Sequence, residues 1–311
     1  MIEKLKIGTR GSPLALKQTE MVIEALKVDH PDIEFETIVI KTSGDWKPED
    51  GETPLPEDEG GKGQFAKEIE VALEAGVIDC GVHSAKDMPA FLPDGLQMEH
   101  YLPRSDPRDA VLCDACTSIA DIHEGAIVGT CSPRRSAIIL HRRPDLKIVP
   151  MRGNVHTRIM KLCSGKVDVT LLAMAGLERL GLDQGTEHGN VNAIPPEVML
   201  PACGQGAVGI EIKQSRNDLK ALFDGINCAD TSQCVSAERA VLKILNGSCH
   251  TPIAAHAIVE ADEMYLRALV ASLDGTQMYF EEGRANRNDG LALGRQIGEK
   301  LKVDVPPELL A

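Results

Sequence analysis

Two stretches of the chain repeat one arrangement: Ile7-Gly-Thr-Arg-Gly-Ser-Pro-Leu14 and Val128-Gly-Thr-Cys-Ser-Pro-Arg-Arg135. Each reads as a strand ending in Gly-Thr, followed by Ser-Pro at the start of a helix. Serine is a good N-cap and proline suits the first helical position, so both segments start helices for the same reason. A helix start leaves unpaired N–H groups and a positive dipole end, which together favour anions. For either stretch alone, ordinary capping beside solvated arginines is the simpler reading. The pair predicts two related α/β domains, each aiming an anion site at a shared cleft.

Alternation of short β-like runs with amphipathic helical patterns extends this α/β layering through the first two-thirds of the chain. Strands are expected at 5–9, 35–41, 77–83, 109–113, 126–130, 147–150, 168–172 and 207–212. Helices are expected from about Pro13 and at 64–75, 133–142, 155–163 and 233–245. Beyond Ile253 the pattern changes to three antiparallel strands, 255–260, 264–272 and 277–283, closed by a helix at 291–301. That reads as a separate α+β module starting near residue 226. The stretch 43–63 holds five Gly, three Pro and seven acids against two Lys. It reads as a surface loop, with an active-site lid favoured over an inert insertion.

Charge narrows the chemistry. The chain carries 47 acids against 33 Lys and Arg, a formal net charge of −14, and only 3% aromatics. Such a chain is a poor general binder of nucleic acid or of an anionic membrane, and it lacks stacking platforms for single strands. No apolar run reaches the length of a membrane span and no signal-peptide pattern opens the sequence, so a cytoplasmic protein is expected. Yet Arg134, Arg135, Arg142, Arg143, Arg152, Arg158 and Lys147 face a single acid, Asp145, within one short stretch. Arg142 and Arg143 stand at an expected helix end, where cations are locally favourable. Arg152 and Arg158 bracket Gly153-Asn154 at another strand-to-helix turn. Arginine forks grip carboxylates and phosphates bidentately, so the implied ligand is a small molecule with several anionic groups.

Other residues leave two readings open. Val82-His-Ser-Ala-Lys-Asp-Met-Pro89 places Lys86 and Asp87 beyond a strand's C-terminal end, where open α/β sheets bind ligands; a surface ion pair is the alternative. His83 reads as a packed histidine. Gly204-Gln-Gly206 is a tight turn, suited either to a close approach or to a hinge. Nine cysteines, an odd number, argue against a disulfide framework and for buried small hydrophobes. Cys113 and Cys116 have the spacing of half a zinc site or a redox pair, with no second half to complete a metal site. Cys249 falls just past a helix C-terminus, and by position alone reads as a structural thiol.

These segments together resemble the porphobilinogen deaminase family, also called hydroxymethylbilane synthases. The likeness lies in Gly8–Leu16, Gly60–Glu68, His83–Pro89, Gly129–Arg135, Arg152-Gly-Asn154, Ala175–Gly181, Leu200–Gly206 and Gly247-Ser-Cys249. It implies a transferase that joins four porphobilinogen molecules with loss of four ammonia and releases the linear tetrapyrrole hydroxymethylbilane by hydrolysis. It also implies a covalent dipyrromethane cofactor on Cys249, which reverses the structural reading of that thiol. The implied fold is two type II periplasmic-binding-protein-like α/β domains and a smaller C-terminal α+β domain. The expected division is 1–103 with 203–222, then 104–202, then 226–311.

By the same resemblance Asp87 is the catalytic carboxylate, stabilising the azafulvenium cation formed as ammonia departs. Ser84, Lys86, Asp87, Thr130, Ser132, Arg134, Arg135, Arg158, Gln205 and Gly206 match cofactor-binding positions. Arg10, Ser12, Gln18, Lys62, Arg152, Gly153, Arg158 and Arg179 match positions that bind substrate or the growing chain. No metal is implied, and a monomer is. Cys131-Ser132-Pro133 departs from the family's Ser-Ser-Leu, and the loop before Gly60 lacks a lysine that many relatives carry. Two competitors remain: a non-catalytic binder of small polyanions, with no use for Asp87 or Cys249, and a cysteine-dependent hydrolase.

Overall fold

A computed structural model describes residues 2–46, 51–52, 64–185, 190–247 and 251–310. Among them the chain forms β1 (Lys4–Thr9), α1 (Pro13–Asp29), β2 (Glu34–Val39), α2 (Lys67–Glu74), β3 (Cys80–Ser84), β4 (Leu96–Tyr101) and β5 (Asp109–Cys113). There follow β6 (Ile127–Gly129), α3 (Pro133–Arg142), β7 (Lys147–Val149), α4 (Val155–Cys163), β8 (Val169–Ala173), α5 (Met174–Arg179), β9 (Asn190–Ala193) and β10 (Val208–Lys213). The chain ends with α6 (Asn217–Asp224), α7 (Ala229–Ile244), β11 (Ile253–Glu260), β12 (Glu263–Ala271), β13 (Met278–Asn286) and α8 (Gly290–Asp304).

The two Ser-Pro repeats open α1 and α3 as expected. Ser12 Oγ accepts from Ala15 N at 3.2 Å, and Ser132 Oγ accepts from Arg135 N at 3.4 Å. Each repeat begins the same kind of five-stranded sheet. The orders are β2-β1-β3-β10-β4 and β7-β6-β8-β5-β9. In each, the strand before the Ser-Pro helix pairs in parallel on both sides, and one antiparallel strand enters from elsewhere in the chain. This is the topology of the type II periplasmic-binding-protein fold, present twice.

Because β10 returns to the first sheet after the second is complete, the chain crosses between sheets at 102–108 and again at 194–207. The crossings bind each other where Ser105 N donates to Gly206 O at 3.2 Å, and Leu102 N donates to Val208 O at the start of β10 at 3.1 Å. Gly206 has φ +87°, and a Cβ there would lie 2.5 Å from Ser105 O. Glycine is therefore required by both torsion and space.

The third sheet, β11-β12-β13, is antiparallel. One face packs on α7 and α8 through Ala237, Val241, Leu266, Ile297 and Leu301. The other supplies Ala254, Leu269 and Ala271 to the core under α3, beside Ile138 and Leu200. At 25 cal/mol per Å² of apolar surface, each such large buried side chain contributes about 1.5–3 kcal/mol.

Several expected boundaries shift. α2 starts at Lys67, because 64–66 form a turn, and β3 starts at Cys80 rather than Val77. Val77 N and Ile78 N still close on Ala72 O after Gly76 at φ +70°, so the chain is leaving a helix there. α7 begins at Ala229, a turn before the expected start. Strands β4 and β9 and helices α5 and α6 were not anticipated. Cys113 and Cys116, whose spacing left a zinc half-site or a redox pair open, form a disulfide; Cys80, Cys203 and Cys234 are free and buried as expected. No described helix is long and apolar enough to cross a membrane.

Candidate active site

The first wall of the site is built where α1 crosses the end of β3. Arg10, Ser12, Gln18, Phe65, Ser84 and Asp87 line one pocket there. Gln18 is buried and its Nε2 donates to Ser84 Oγ at 2.8 Å, fixing that hydroxyl beside the pocket. The Arg10 guanidinium stacks 4.2 Å over the Phe65 ring and donates to Asp45 at 2.6 Å. Ala85–Asp87 is a single 3-10 turn, which leaves Lys86 half-buried and Asp87 exposed. His83 is packed, as expected: Nε2 lies 3.0 Å from buried Glu211 Oε2.

The second wall is a buried ion cluster that sequence reasoning missed. Asp109, the first residue of β5, is 0% exposed, and Arg134 and Arg135 are 5% exposed. Arg134 Nη1 donates to Asp109 Oδ2 at 2.7 Å and to Leu200 O at 2.8 Å, and Nη2 to Oδ1 at 3.2 Å. Arg135 Nε and Nη2 donate to Asp109 Oδ1 at 3.0 and 2.7 Å, and Nη1 to Leu171 O at 2.8 Å. Burial alone would raise the Asp109 carboxyl; the Arg134 and Arg135 charges outweigh it and hold the pKa well below the usual range. Thr130, also buried, accepts from Ser132 N at 3.1 Å beneath the same helix start.

Gln205 joins the walls. It is fully buried, and its Oε1 accepts from Lys86 Nζ at 3.2 Å while Nε2 donates to Asp109 Oδ1 at 3.1 Å and to Pro107 O at 2.7 Å. Burial, then the Arg135 charge, push Lys86 down to about 8. The Asp87 charge acts in the opposite direction on Lys86, Arg135 and Arg158. Arg158 is lowered by burial and then by Arg135, and its Nε donates to Gly153 O at 2.9 Å. Gly153 has φ +111°, and Asn154 caps α4 by accepting from Thr157 N at 2.9 Å.

Two predicted residues have other roles in view. Arg179 lies at the crossing segments, where Nη2 donates to Gly206 O at 2.7 Å and Ser105 Oγ at 3.0 Å, and burial pushes it down to about 10. Arg152 meets the loop: its backbone N–H donates to Glu52 Oε2 at 2.7 Å, and Glu52 also pairs with Lys161, whose ammonium sits 4.4 Å over the Trp46 ring. Arg142 and Arg143 are structural, bonding Glu197 O and Asp145 at the end of α3. Lys62, Cys249 and most of the supposed lid lie outside the described residues.

The donor set suits a polycarboxylate. Lys86, Arg134, Arg135 and Arg158 are four cations against three carboxylates within electrostatic reach: Asp87, Asp109 and, acting on Arg158, Glu52. The surplus is positive, and the arginine forks are held before any ligand arrives. A dipyrromethane, whose rings each carry an acetate and a propionate, is the kind of polyanion that such a surplus attracts.

Comparison with known proteins agrees. Residues 5–221 match the family model for porphobilinogen deaminase, dipyrromethane cofactor binding domain, and residues 232–303 match its C-terminal domain. A porphobilinogen deaminase of Nitrobacter hamburgensis is 46% identical over 300 residues, covering 95% of this chain and 92% of the relative. That of Nitrobacter winogradskyi is 45% identical with the same coverage. Among solved structures, the BenM effector binding domain with its effector benzoate is similar at 15% identity and TM-score 0.44, covering 73% of this chain and 91% of that one. The chain belongs to the porphobilinogen deaminase family, transferases that polymerise porphobilinogen into hydroxymethylbilane on a dipyrromethane cofactor.

Proposed function

We propose that Asp87 is the catalytic carboxylate and that the cofactor is carried on Cys249. In this reading Arg134 and Arg135, with Ser84, Lys86, Thr130, Ser132, Arg158, Gln205 and Gly206, hold the cofactor. Arg10, Ser12, Gln18, Lys62, Arg152, Gly153, Arg158 and Arg179 receive substrate or the growing chain. The observation that carries this reading is one exposed carboxylate, Asp87, in the same turn as Lys86, which Gln205 links to the buried Asp109, Arg134 and Arg135. The reading divides the chain at 1–103 with 203–222, 104–202 and 226–311, in keeping with the three sheets. It places the enzyme in the cytoplasm as a monomer that binds neither nucleic acid nor membrane, in keeping with its charge of −14.

When bound, the dipyrromethane supplies the pyrrole end onto which each porphobilinogen is joined. The protein's part is electrostatic. The arginines bring the substrate carboxylates to a fixed place, which removes the entropy of aligning two pyrroles. Asp87 accepts pyrrole N–H, stabilises the cation that forms on porphobilinogen as ammonia leaves, and takes up the proton lost when the rings join. Gln18 keeps Ser84 Oγ oriented beside it.

Arg135→Lys tests the holding role. Lysine keeps the charge but cannot bond Asp109 and a ligand carboxylate as a planar fork, so cofactor occupancy by intact mass should fall and KM should rise about tenfold or more. Full occupancy with unchanged kinetics would count against it. A Cys249→Ser chain should carry no added mass in the same measurement.

Lys86 makes ligand binding pH-dependent. Without a bound carboxylate its pKa is about 8, below its ordinary 10.5. Between those values the unfolded chain holds a proton that the folded one lacks, so the cost of burying this charge applies below about 8 and fades above it. A carboxylate bound nearby raises the folded pKa again. Calorimetry in buffers of different ionisation enthalpy, taken as the difference between this chain and a Lys86→Met chain so that the proton balance of the released ammonia cancels, should therefore show proton uptake on loading the apoprotein at pH 9, and almost none at pH 6.5. Equal uptake at both would remove Lys86 from the site.

A further inference from the structure

We infer that Asp109 is a positioning residue of the reaction, setting both arginine forks and, through Gln205, Lys86 before any ligand carboxylate arrives. The inference rests on the assignment of Arg134 and Arg135 to carboxylate binding.

Donor counting carries it. A guanidinium has five N–H donors in fixed geometry. Among the described residues Arg134 places three of them on Asp109 and Leu200 O, and Arg135 places three on Asp109 and Leu171 O. Each arginine is thus held by one edge and one carbonyl, with two donors left over on a side chain that has no freedom to turn. Without Asp109, two like charges in adjacent positions of one helix turn would repel, and each could rotate.

Charge gives the same answer. Asp109 is one carboxylate among three cations, Lys86, Arg134 and Arg135, all of which act on its ionisation or on each other. It neutralises enough to allow their burial and leaves a net positive site.

Connectivity supplies the third argument. The Gln205 amide is oriented by its bonds, oxygen toward Lys86 and nitrogen toward Asp109. Lys86 is the neighbour of Asp87 in the 3-10 turn on the first sheet, while Asp109 begins β5 in the second. The Asp109 carboxylate therefore registers the two walls against each other at the point where the catalytic turn meets the forks.

The test uses full-length apoprotein made in a host unable to synthesise porphobilinogen, then incubated with porphobilinogen. Intact mass follows attachment, normalised to the folded fraction from circular dichroism. Asp109→Asn keeps size and removes the charge; loading should slow about tenfold or more, with KM rising more than kcat falls in the loaded enzyme. Asp109→Glu restores the charge displaced by one methylene and should fall between, roughly threefold slow. A merely structural role predicts wild-type loading per folded molecule in both. If Asp109→Asn loads normally while Arg135→Lys is slowed, the inference fails alone. If both load normally, the assignment of the arginines fails and takes the inference with it. Should Asp109→Asn not fold, Asp109→Glu decides: slowed loading supports the role, and a wild-type rate overturns it.

Discussion

Asp87→Asn is expected to lower turnover by about a hundred- to ten-thousand-fold, the range set by loss of a positioned charge and proton acceptor, while leaving the melting temperature almost unchanged. The two halves of this expectation have separate causes. Asp87 is exposed at the end of a 3-10 turn and belongs to no core cluster, so no packing is lost. The asparagine amide still fills the same space and can still accept a hydrogen bond from a pyrrole N–H, but it cannot stabilise a cation or take up a proton. The arginine forks are anchored by Asp109 rather than by Asp87, so KM should change much less than kcat. Asp87→Glu should recover part of the rate, since the charge is kept and only its reach is altered. An Asp87→Asn enzyme with a tenth or more of normal turnover, freed of contaminating wild-type protein, would remove this carboxylate from the chemistry. Cofactor occupancy should be read in the same samples, because Asp87 also lies near Lys86 and Arg135, and a loss of loading would otherwise pass for a loss of catalysis.

How far the fold and site were legible depends on the range of the interactions. Helix starts at Ser12 and Ser132 are local events, fixed by a hydroxyl and a proline within four residues, and both read correctly from sequence. The hairpins of the third sheet were visible for the same reason. β4 was not: Leu-Gln-Met-Glu-His-Tyr has no β-branched residue, and its apolar-polar alternation lasts only from Leu96 to Glu99. β9, Asn-Val-Asn-Ala, is strand only because β5 lies beside it. The site shows the same division. Arginines in the first turn of α3 stood out because they belong to a basic stretch in an otherwise acidic chain. Asp109 gave no such signal, since a buried acid and a solvated one are the same letter, and its partners lie 25, 26 and 96 residues away. Its position at the head of the continuous apolar run Ala110–Cys113 was the only available clue.

The same blindness hid Glu238, and the largest stability effect is expected there. This carboxylate is 0% exposed in α7 and accepts from Arg104 Nη1 at 2.6 Å and Nη2 at 3.2 Å, from Gly204 N at 2.6 Å and from Ala257 N at 2.8 Å. One side chain thereby ties together the first crossing segment, the second crossing segment and β11. Arg104 in turn donates through Nε to Gln205 O at 2.8 Å, two bonds from the buried cluster at Asp109. Arg104→Met removes the counter-ion but leaves the carboxylate enclosed with only backbone partners, a change that costs about 3–5 kcal/mol when a buried pair is broken from one side. The urea midpoint should fall accordingly. Arg104→Met combined with Glu238→Leu should recover part of the loss, because a buried pair replaced on both sides by apolar groups is often tolerated, although Gly204 N and Ala257 N then lose their acceptor. The residual deficit of the double variant thus measures the backbone bonds apart from the ion pair. A single Arg104→Met variant costing under about 1 kcal/mol would mean that water reaches Glu238 and that the crossing segments are held by their own hydrogen bonds.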